Sequence, residues 1–135
     1  MEIIEDIVPL MCKAIIIDVP VMLIDIQLRY YEGITALELY EVTRGAWRVG
    51  SRREGVRYAF AVAGNVIREV YEIDGWYRAG TTPYRIKPFE SFIVDGRWEF
   101  IGSLAPAEIR SKFKGHSVAG YFNKGQQNQV AYANC

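Results

Sequence analysis

The sequence contains few of the residues from which catalytic and metal sites are usually built. It has one histidine, His116, and two cysteines, Cys12 and Cys135, near opposite ends of its 135 residues. A single histidine cannot supply a His-rich metal site, and the cysteine spacing is not that of a zinc site or a disulfide framework. We therefore expect no metal, no cofactor and no catalytic residue, and the sequence favours a binding protein over an enzyme.

Long uninterrupted apolar runs are also missing. The most apolar stretch, residues 14–26, is broken by Asp18, Pro20 and Asp25, so it cannot span a membrane. The acidic start MEIIEDIV lacks the basic residues of a signal peptide. Because cysteines are also scarce, these features predict a cytoplasmic protein without a membrane partner.

The length and composition are those of one folded domain. Hydrophobic residues make up 50% of the chain and charged residues 24%, which is typical of a globular protein and excludes a disordered one. We expect a single domain over residues 1–135, with residues 1–12 as an N-terminal arm or short helix.

The clearest local pattern is a β-hairpin in the middle of the chain. Two segments rich in β-branched and aromatic residues, Val56–Ala63 and Val66–Ile73, flank the turn dipeptide Gly64-Asn65. The face that carries the larger apolar side chains is expected to pack on the core. A two-residue loop predicts that the following pairs lie opposite each other: Val62 and Ile67, Phe60 and Glu69, Tyr58 and Tyr71, Ala59 and Val70, and Arg57 and Glu72.

Two helices are predicted from their end signals. Thr35 and Glu38 have the spacing of a capping box, which predicts a helix from Ala36 to Arg44, with Gly45 ending it in a left-handed conformation. Pro106 suits the first turn of a second helix that reaches about Phe113.

The remaining segments predict further strands and one aromatic loop, Gly75–Pro83. The predicted strands are Lys13–Val19, Val21–Leu28, Tyr84–Lys87, Gln129–Ala133 and a second hairpin that joins Ser91–Val94 to Arg97–Ile101. Tight hairpins and short helices predict an α+β fold with a mostly antiparallel or mixed sheet, either curled or a partly open β-barrel, and two or three short helices.

Charge is distributed unevenly although the net charge is zero. Residues 1–43 carry two basic and eight acidic side chains, whereas residues 44–57 carry five arginines and one glutamate. A basic segment next to aromatic residues is typical of a local polyanion site, because arginine binds phosphate and aromatic rings stack on unpaired bases. The alternative is that these arginines are solvated or paired with the N-terminal acids.

The leading hypothesis is a non-catalytic module that binds RNA or single-stranded or modified DNA. Arginine and lysine side chains would bind phosphate, tryptophan or tyrosine would stack on a base, and amides would read base edges. The candidate nucleic-acid-binding residues are Arg44, Trp47, Arg48, Arg52, Arg53, Trp76, Trp98, His116, Tyr121, Lys124, Gln127 and Asn128.

Two other functions stay open at this point. A small-molecule binder or hydrolase for a nucleoside-like ligand would place its pocket under the loop at 75–83, lined by Trp76, Tyr77 and Tyr84, with Glu99 or Lys87 as polar partners. A homodimer would bring the acidic first 43 residues of one subunit against the arginines of another.

Part of the chain resembles a small family of prokaryotic domains to which no activity is assigned. The resemblance covers about Glu38 to Cys135 and rests on ELYEVTRGAWRVGSRREGVRYAFAVAGNVIREVYEIDGWYRAG, GRWEFIG and GHSVAGYFNKGQQNQVAYANC. Gln129 stands where that family has a proline. More loosely, a helix followed by a twisted hairpin and a Trp-containing strand is similar to pseudo-barrel domains of the PUA, ASCH and EVE kind. That second resemblance implies binding of RNA or modified bases.

Overall fold

A computed structural model describes residues 15–86, 96–122 and 129–135. Several predictions fall outside these ranges: the arm at 1–12, the start of the first predicted strand, Lys87, the first strand of the second hairpin, and the candidate site residues Lys124, Gln127 and Asn128. Neither helix among the described residues is long and apolar enough to cross a membrane.

The described residues form five strands and two α-helices. In chain order the elements are β1 (Val21–Asp25), α1 (Ala36–Arg44), a 3-10 turn (Ser51–Gly55), β2 (Tyr58–Ala63), β3 (Val66–Arg78), β4 (Trp98–Leu104), α2 (Ala107–Phe113) and β5 (Val130–Ala133). The strand order is β4-β3-β2-β1-β5; β1 and β2 are parallel and the other pairs are antiparallel. The described strands leave the sheet open, which confirms an α+β fold with a curled, mixed sheet.

Both faces of the sheet are buried at its centre. Every residue of β2 is buried, and alternate residues of a strand point to opposite faces. On one face Met22, Ala59 and Phe100 pack with α1 and Trp47. On the other face Phe60 packs on Phe113 of α2, with the ring centroids 5.1 Å apart. The prediction that one face of the central hairpin packs on the core is confirmed, but the structure buries the second face as well.

Helix α1 begins and ends where its sequence predicts. The Thr35 side chain accepts a hydrogen bond from the Glu38 backbone N–H at 3.2 Å, as expected for a helix cap. Within the described part of the chain, the Glu38 carboxylate does not complete the capping box; it accepts a hydrogen bond from the Tyr31 hydroxyl at 2.5 Å. The predicted left-handed ending is wrong, since Gly45 has a φ of −172° and is extended.

Gly45 is required for space rather than for backbone conformation. A Cβ at this position would collide with the Tyr84 hydroxyl oxygen and lie 2.9 Å from the Glu99 Cβ. The absent side chain therefore lets the chain leave α1 directly against the loop that follows β3, where a larger residue would force its neighbours apart.

The central hairpin has the predicted turn but a different register. Gly64 and Asn65 both have a φ of 60°, and Ala63 pairs with Val66 as predicted. A β-bulge between Ala61 and Val62 of β2 then adds one residue to β3, so that Tyr71 lies opposite Ala59. The predicted pairs Phe60–Glu69, Tyr58–Tyr71 and Ala59–Val70 are therefore wrong, because one extra residue moves the rest of β3 to the opposite face. Arg57 and Glu72 are no longer directly opposite, but their side chains still form an ion pair, at 3.4 Å.

Other predicted elements differ at their ends. Residues 15–19 are not a strand, nor are residues 84–86, and β1 ends at Asp25 rather than Leu28. The segment Gly75–Arg78, predicted as a loop, extends β3 because it pairs with β4. Helix α2 and strand β5 are confirmed, and Pro106 precedes the first residue of α2.

Candidate nucleic-acid interface

Two arginines lie close to the ring of Trp98 at the start of β4, and two more lie near the turn that precedes it. The Arg53 guanidinium lies 3.5 Å from the centroid of the Trp98 ring, and the Arg78 guanidinium lies 5.4 Å from it. The other two, Arg48 and Arg97, lie beside the turn that leads into β4. We call Arg48, Arg53, Arg78 and Arg97 the Trp98 arginine cluster.

The sheet and the 3-10 turn bring these residues together. Strand β3 continues far enough to pair Arg78 with Trp98 in register. The backbone of Trp47 exchanges two hydrogen bonds of 2.8 Å with the backbone of Trp98. The 3-10 turn follows directly and carries Arg53 onto the Trp98 ring. Residues that are far apart in the sequence therefore meet at one end of β4.

The other two members of the cluster lie close to the same point. An Nη1 atom of Arg48, whose side chain is exposed, lies 3.6 Å from the position that a Cβ on Gly96 would occupy. The Arg97 guanidinium donates a hydrogen bond of 3.3 Å to the Ala46 carbonyl. The cluster thus surrounds the turn at residues 96–98.

Aromatic contacts hold two of the four arginines of this cluster, Arg53 and Arg78. Among the described residues, the ion pair of the cluster is the one between Arg53 and Glu54, at 3.2 Å. A guanidinium over an indole face is stabilised by the ring quadrupole, and its N–H donors can still bind a ligand where its edge is exposed. Arg78 is exposed, whereas the Arg53 side chain is 14% exposed and its Nε is buried. Such a surface carries a positive charge and can donate paired hydrogen bonds to phosphate oxygens.

Arg52 extends the same basic surface toward the C-terminal strand. Its guanidinium lies 4.4 Å from the Tyr132 ring centroid and donates a hydrogen bond of 3.1 Å to the carbonyl of Cys135. Burial raises the pKa of Tyr132 and the cationic Arg52 opposes that shift. Arg52 therefore lies over the Tyr132 ring as Arg53 lies over the Trp98 ring.

Arg44 and Trp47, both candidate binding residues, lie inside the molecule. Arg44 is 2% exposed, and its guanidinium donates hydrogen bonds to the Thr82 hydroxyl at 2.8 Å and to the Pro83 carbonyl at 2.5 Å. The Trp47 indole N–H donates to the Thr43 carbonyl at 2.7 Å. These side chains tie α1 to the sheet and to the loop after β3, and their polar groups face protein atoms.

The other predicted aromatic residues also pack mainly against protein. Trp76 is half-buried and meets Phe100 edge-on, with ring centroids 5.4 Å apart. The Tyr121 hydroxyl accepts a hydrogen bond of 3.2 Å from the Ile17 backbone N–H. His116 is half-buried, and its carbonyl accepts a hydrogen bond of 3.0 Å from the Ile67 N–H.

The space under the loop at 75–83 holds a hydrogen-bonded network. The buried Glu99 carboxylate accepts hydrogen bonds from the backbone N–H groups of Gly80 at 3.0 Å and Thr82 at 2.8 Å. The Tyr84 hydroxyl donates a third bond of 3.0 Å, and a fourth comes from the Thr82 hydroxyl. Burial raises the pKa of Tyr84 above its usual value, and the Glu99 carboxylate adds to the effect. Glu99, expected above as a polar partner of a ligand, is thus bonded by the loop itself.

Two residues of the cluster were not among the sequence candidates. Arg78 stood in a predicted loop, and its place opposite Trp98 follows from the extension of β3. Arg97 follows the turn dipeptide Asp95-Gly96 and is the first residue of the predicted strand Arg97–Ile101. A prediction of β3 to its full length would have placed Arg78 and Trp98 on neighbouring strands, and so would have found Arg78.

Basic side chains on and after α2 are paired with carboxylates, unlike Arg78 in the Trp98 arginine cluster. Arg110 donates to the Glu69 carboxylate from two nitrogens at 2.9 and 3.0 Å, and Lys114 donates to the same carboxylate at 3.1 Å. Burial raises the pKa of Glu69, but the hydrogen bond from Arg110 and the contacts with Val70 and Lys114 outweigh it and lower the pKa. Lys112 pairs with Asp18 at 2.6 Å. We call Arg110, Lys112 and Lys114 the α2 basic patch.

The geometry of the interface is not that of a metal centre. Within the described ranges, no group of three His, Cys, Asp or Glu side chains converges as a metal site would need. Comparison of the chain with protein-family models, with curated proteins and with solved structures found no match.

Proposed function

We propose that the protein binds single-stranded nucleic acid through the Trp98 arginine cluster. The observation that carries the proposal is the packing of Arg53 and Arg78 on one indole ring, 3.5 and 5.4 Å from its centroid, with Arg48 and Arg97 beside them. Four guanidinium groups with Glu54 as their paired carboxylate form a local positive surface on a chain whose net charge is zero.

The chemistry of stacked arginine favours a strand with unpaired bases. The Arg53 side chain is only 14% exposed, whereas Arg78, 5.4 Å from the same ring, is exposed. An unpaired base could therefore stack on the outer face of the Arg78 guanidinium. Its edge donors can bind a neighbouring phosphate at the same time. Trp98 itself is half-buried and covered by Arg53, so it orders the arginines, and the base would stack on the exposed Arg78.

The charge distribution favours a short contact over a long duplex. Binding of a long duplex gains affinity with each phosphate that is neutralised, and the acidic first third of this chain would oppose it. We expect the four arginines to contact three or four phosphates of a single strand. The affinity should then fall by roughly 2–3 powers of ten for each tenfold increase in salt concentration.

Fluorescence anisotropy with labelled oligomers tests the proposal. Single-stranded RNA, single-stranded DNA and a duplex of equal length are titrated with the protein at about 50 and 200 mM salt. We expect the single strands to bind more tightly than the duplex, with an affinity that falls roughly tenfold to fiftyfold over this salt range. Absence of binding at the lower salt concentration would overturn the proposal, and tighter binding of the duplex would overturn the assignment to single strands.

A further inference from the structure

A small pocket lies next to the Trp98 arginine cluster and shares Arg97 with it. Its volume is about 140 Å³. It lies between the turn after β1, the segment that follows α1, and the start of β5. Its lining residues are Ile26, Leu28, Arg29, Gly45, Ala46, Trp47, Arg97 and Gln129.

The pocket has the size of one ring. A cavity of about 150 Å³ in another protein accommodates a benzene molecule. Ile26 and Trp47, both buried, supply apolar walls here. Leu28 lines the same pocket and is nevertheless 89% exposed, so a ligand that enters would cover an apolar side chain now in contact with solvent.

The polar groups of the pocket suit an anion. Two of its lining residues are arginines, and none of the described lining residues is acidic. The structure gives the Arg29 side chain no ion pair or hydrogen bond within the described residues, and Arg97 has its one hydrogen bond from Nη1 to the Ala46 carbonyl. Both guanidinium groups therefore retain donors for phosphate oxygens.

The amide of Gln129 adds a group that can read a base. Its Nε2 donates a hydrogen bond of 3.2 Å to the Asp25 carbonyl, which leaves the amide oxygen as an acceptor. An acceptor beside an apolar wall suits the N–H or NH₂ edge of a nucleobase.

We propose that this pocket, which we call the Arg29–Arg97 pocket, binds one unpaired nucleotide with its base inside and its phosphate on Arg29 and Arg97. The inference rests on the proposed function, because the pocket opens beside the surface assigned to the strand. It adds a defined place for one nucleotide, held by residues outside the stacked arginines Arg53 and Arg78.

Calorimetric titration with uridine monophosphate, uridine and inorganic phosphate tests the pocket. The monophosphate should bind the wild-type protein more tightly than either of its parts. Arg29→Gln and Arg97→Gln should each weaken that binding by about tenfold, since each removes a charged hydrogen-bond donor. Arg57→Gln is the matched control, because Arg57 is an exposed arginine that pairs with Glu72 and does not line the pocket. Thermal unfolding of each variant establishes that it is folded; Arg29 is exposed, so its variant should match the wild type.

The outcomes separate the pocket from the strand surface. If oligomers bind but the monophosphate does not, and Arg29→Gln binds oligomers like the wild type, the pocket proposal is wrong and the proposed function stands. If phosphate alone binds as tightly as the monophosphate, the pocket does not hold a base and the proposal is also wrong. If oligomers fail to bind but the monophosphate binds in a way that depends on Arg29, the pocket is supported and the strand surface is not.

Discussion

The Trp98 arginine cluster and the α2 basic patch are both basic, but they differ in what faces their cations. In the cluster, Arg53 and Arg78 face an indole ring, and Arg53 also pairs with the exposed Glu54 carboxylate. In the patch, Arg110 and Lys114 face the Glu69 carboxylate, and Lys112 pairs with Asp18 while its Nζ also lies 5.3 Å from the Phe113 ring centroid. A cation on a ring keeps its full charge, whereas a cation on a carboxylate contributes little to the local potential.

The comparison shows that a basic sequence is not yet a basic surface. In the sequence, the α2 basic patch also lies beside aromatic residues, Phe113 and Tyr121. Around α2 the acids arrive from Glu69 in β3 and from Asp18 before β1, both distant in the sequence. The α2 basic patch is therefore interpreted as part of the scaffold, and the Trp98 arginine cluster as the interface.

Removing two cations from each region should give the largest difference. We expect Arg53→Ala combined with Arg78→Ala to weaken single-strand binding by roughly tenfold to a hundredfold, because two phosphate contacts are lost. Lys112→Ala combined with Lys114→Ala removes the same charge from the α2 basic patch and should change the affinity less than about threefold. Anisotropy at one salt concentration measures both. Equal losses in the two double variants would contradict the distinction between the regions.

Removing one carboxylate from each region should destabilise the α2 region more than the Trp98 arginine cluster. Glu69→Gln should lower the free energy of unfolding by about 1–3 kcal/mol, because a carboxylate whose side chain is 10% exposed loses charged hydrogen bonds. Glu54→Gln should cost less than about 1 kcal/mol, since the Glu54 side chain is 64% exposed. Urea unfolding compares the two variants. A larger loss for Glu54→Gln would show that the cluster, too, is held by its ion pair.

Low pH should reduce the stability that the Glu69 carboxylate contributes near α2. The pKa of Glu69 is lowered in the folded protein, so its stabilising contribution is complete above the usual value of 4.5 and is lost as the pH falls through the folded value. The stability difference between the wild type and Glu69→Gln should therefore shrink as the pH is lowered below about 4.5. Urea midpoints measured over this pH range give the test; a constant difference would contradict it.

Exchanging arginine for lysine in the cluster, and lysine for arginine in the patch, should have the smallest effects on binding. Arg78→Lys keeps the charge but loses the planar group that stacks on Trp98, and we expect binding to weaken by about twofold to fivefold. Lys112→Arg should leave binding unchanged, because its partner Asp18 accepts either cation. Anisotropy titrations of both variants measure the difference. Unchanged binding by Arg78→Lys would mean that charge alone, without stacking, determines affinity.

Much of the fold could be predicted because its signals are local. Thr35 and Glu38 fixed the start of α1, Gly64-Asn65 fixed the central turn, and Pro106 fixed the start of α2. The bulge opposite Ala61 could not be predicted. Where both faces of a strand are buried, apolar residues occur at every position, so an extra residue does not change the apolar pattern. The extension of β3 depends on pairing with β4, a contact between distant segments.

The candidate site could be predicted only in part, for the same reason. Arg48 and Arg53 were recognised from their clustering in the sequence, and Trp98 from its type. Arg44 belongs to the same basic run, but the helix turns it inward, where Thr82 and Pro83 accept its hydrogen bonds. Which arginine of a run is free depends on tertiary contacts that the run itself does not specify.

Nuclear magnetic resonance of the arginine side chains tests the central claim most directly. Spectra of the Nε–Hε groups, assigned with single Arg→Lys variants, are followed while a single-stranded oligomer is added. We predict that the signals of Arg53 and Arg78 shift or broaden with added strand, and that higher salt reverses the change, while the signal of Arg110 stays in place. A shift of the Arg110 signal without a change at Arg53 and Arg78 would contradict the assignment of the interface to the Trp98 arginine cluster.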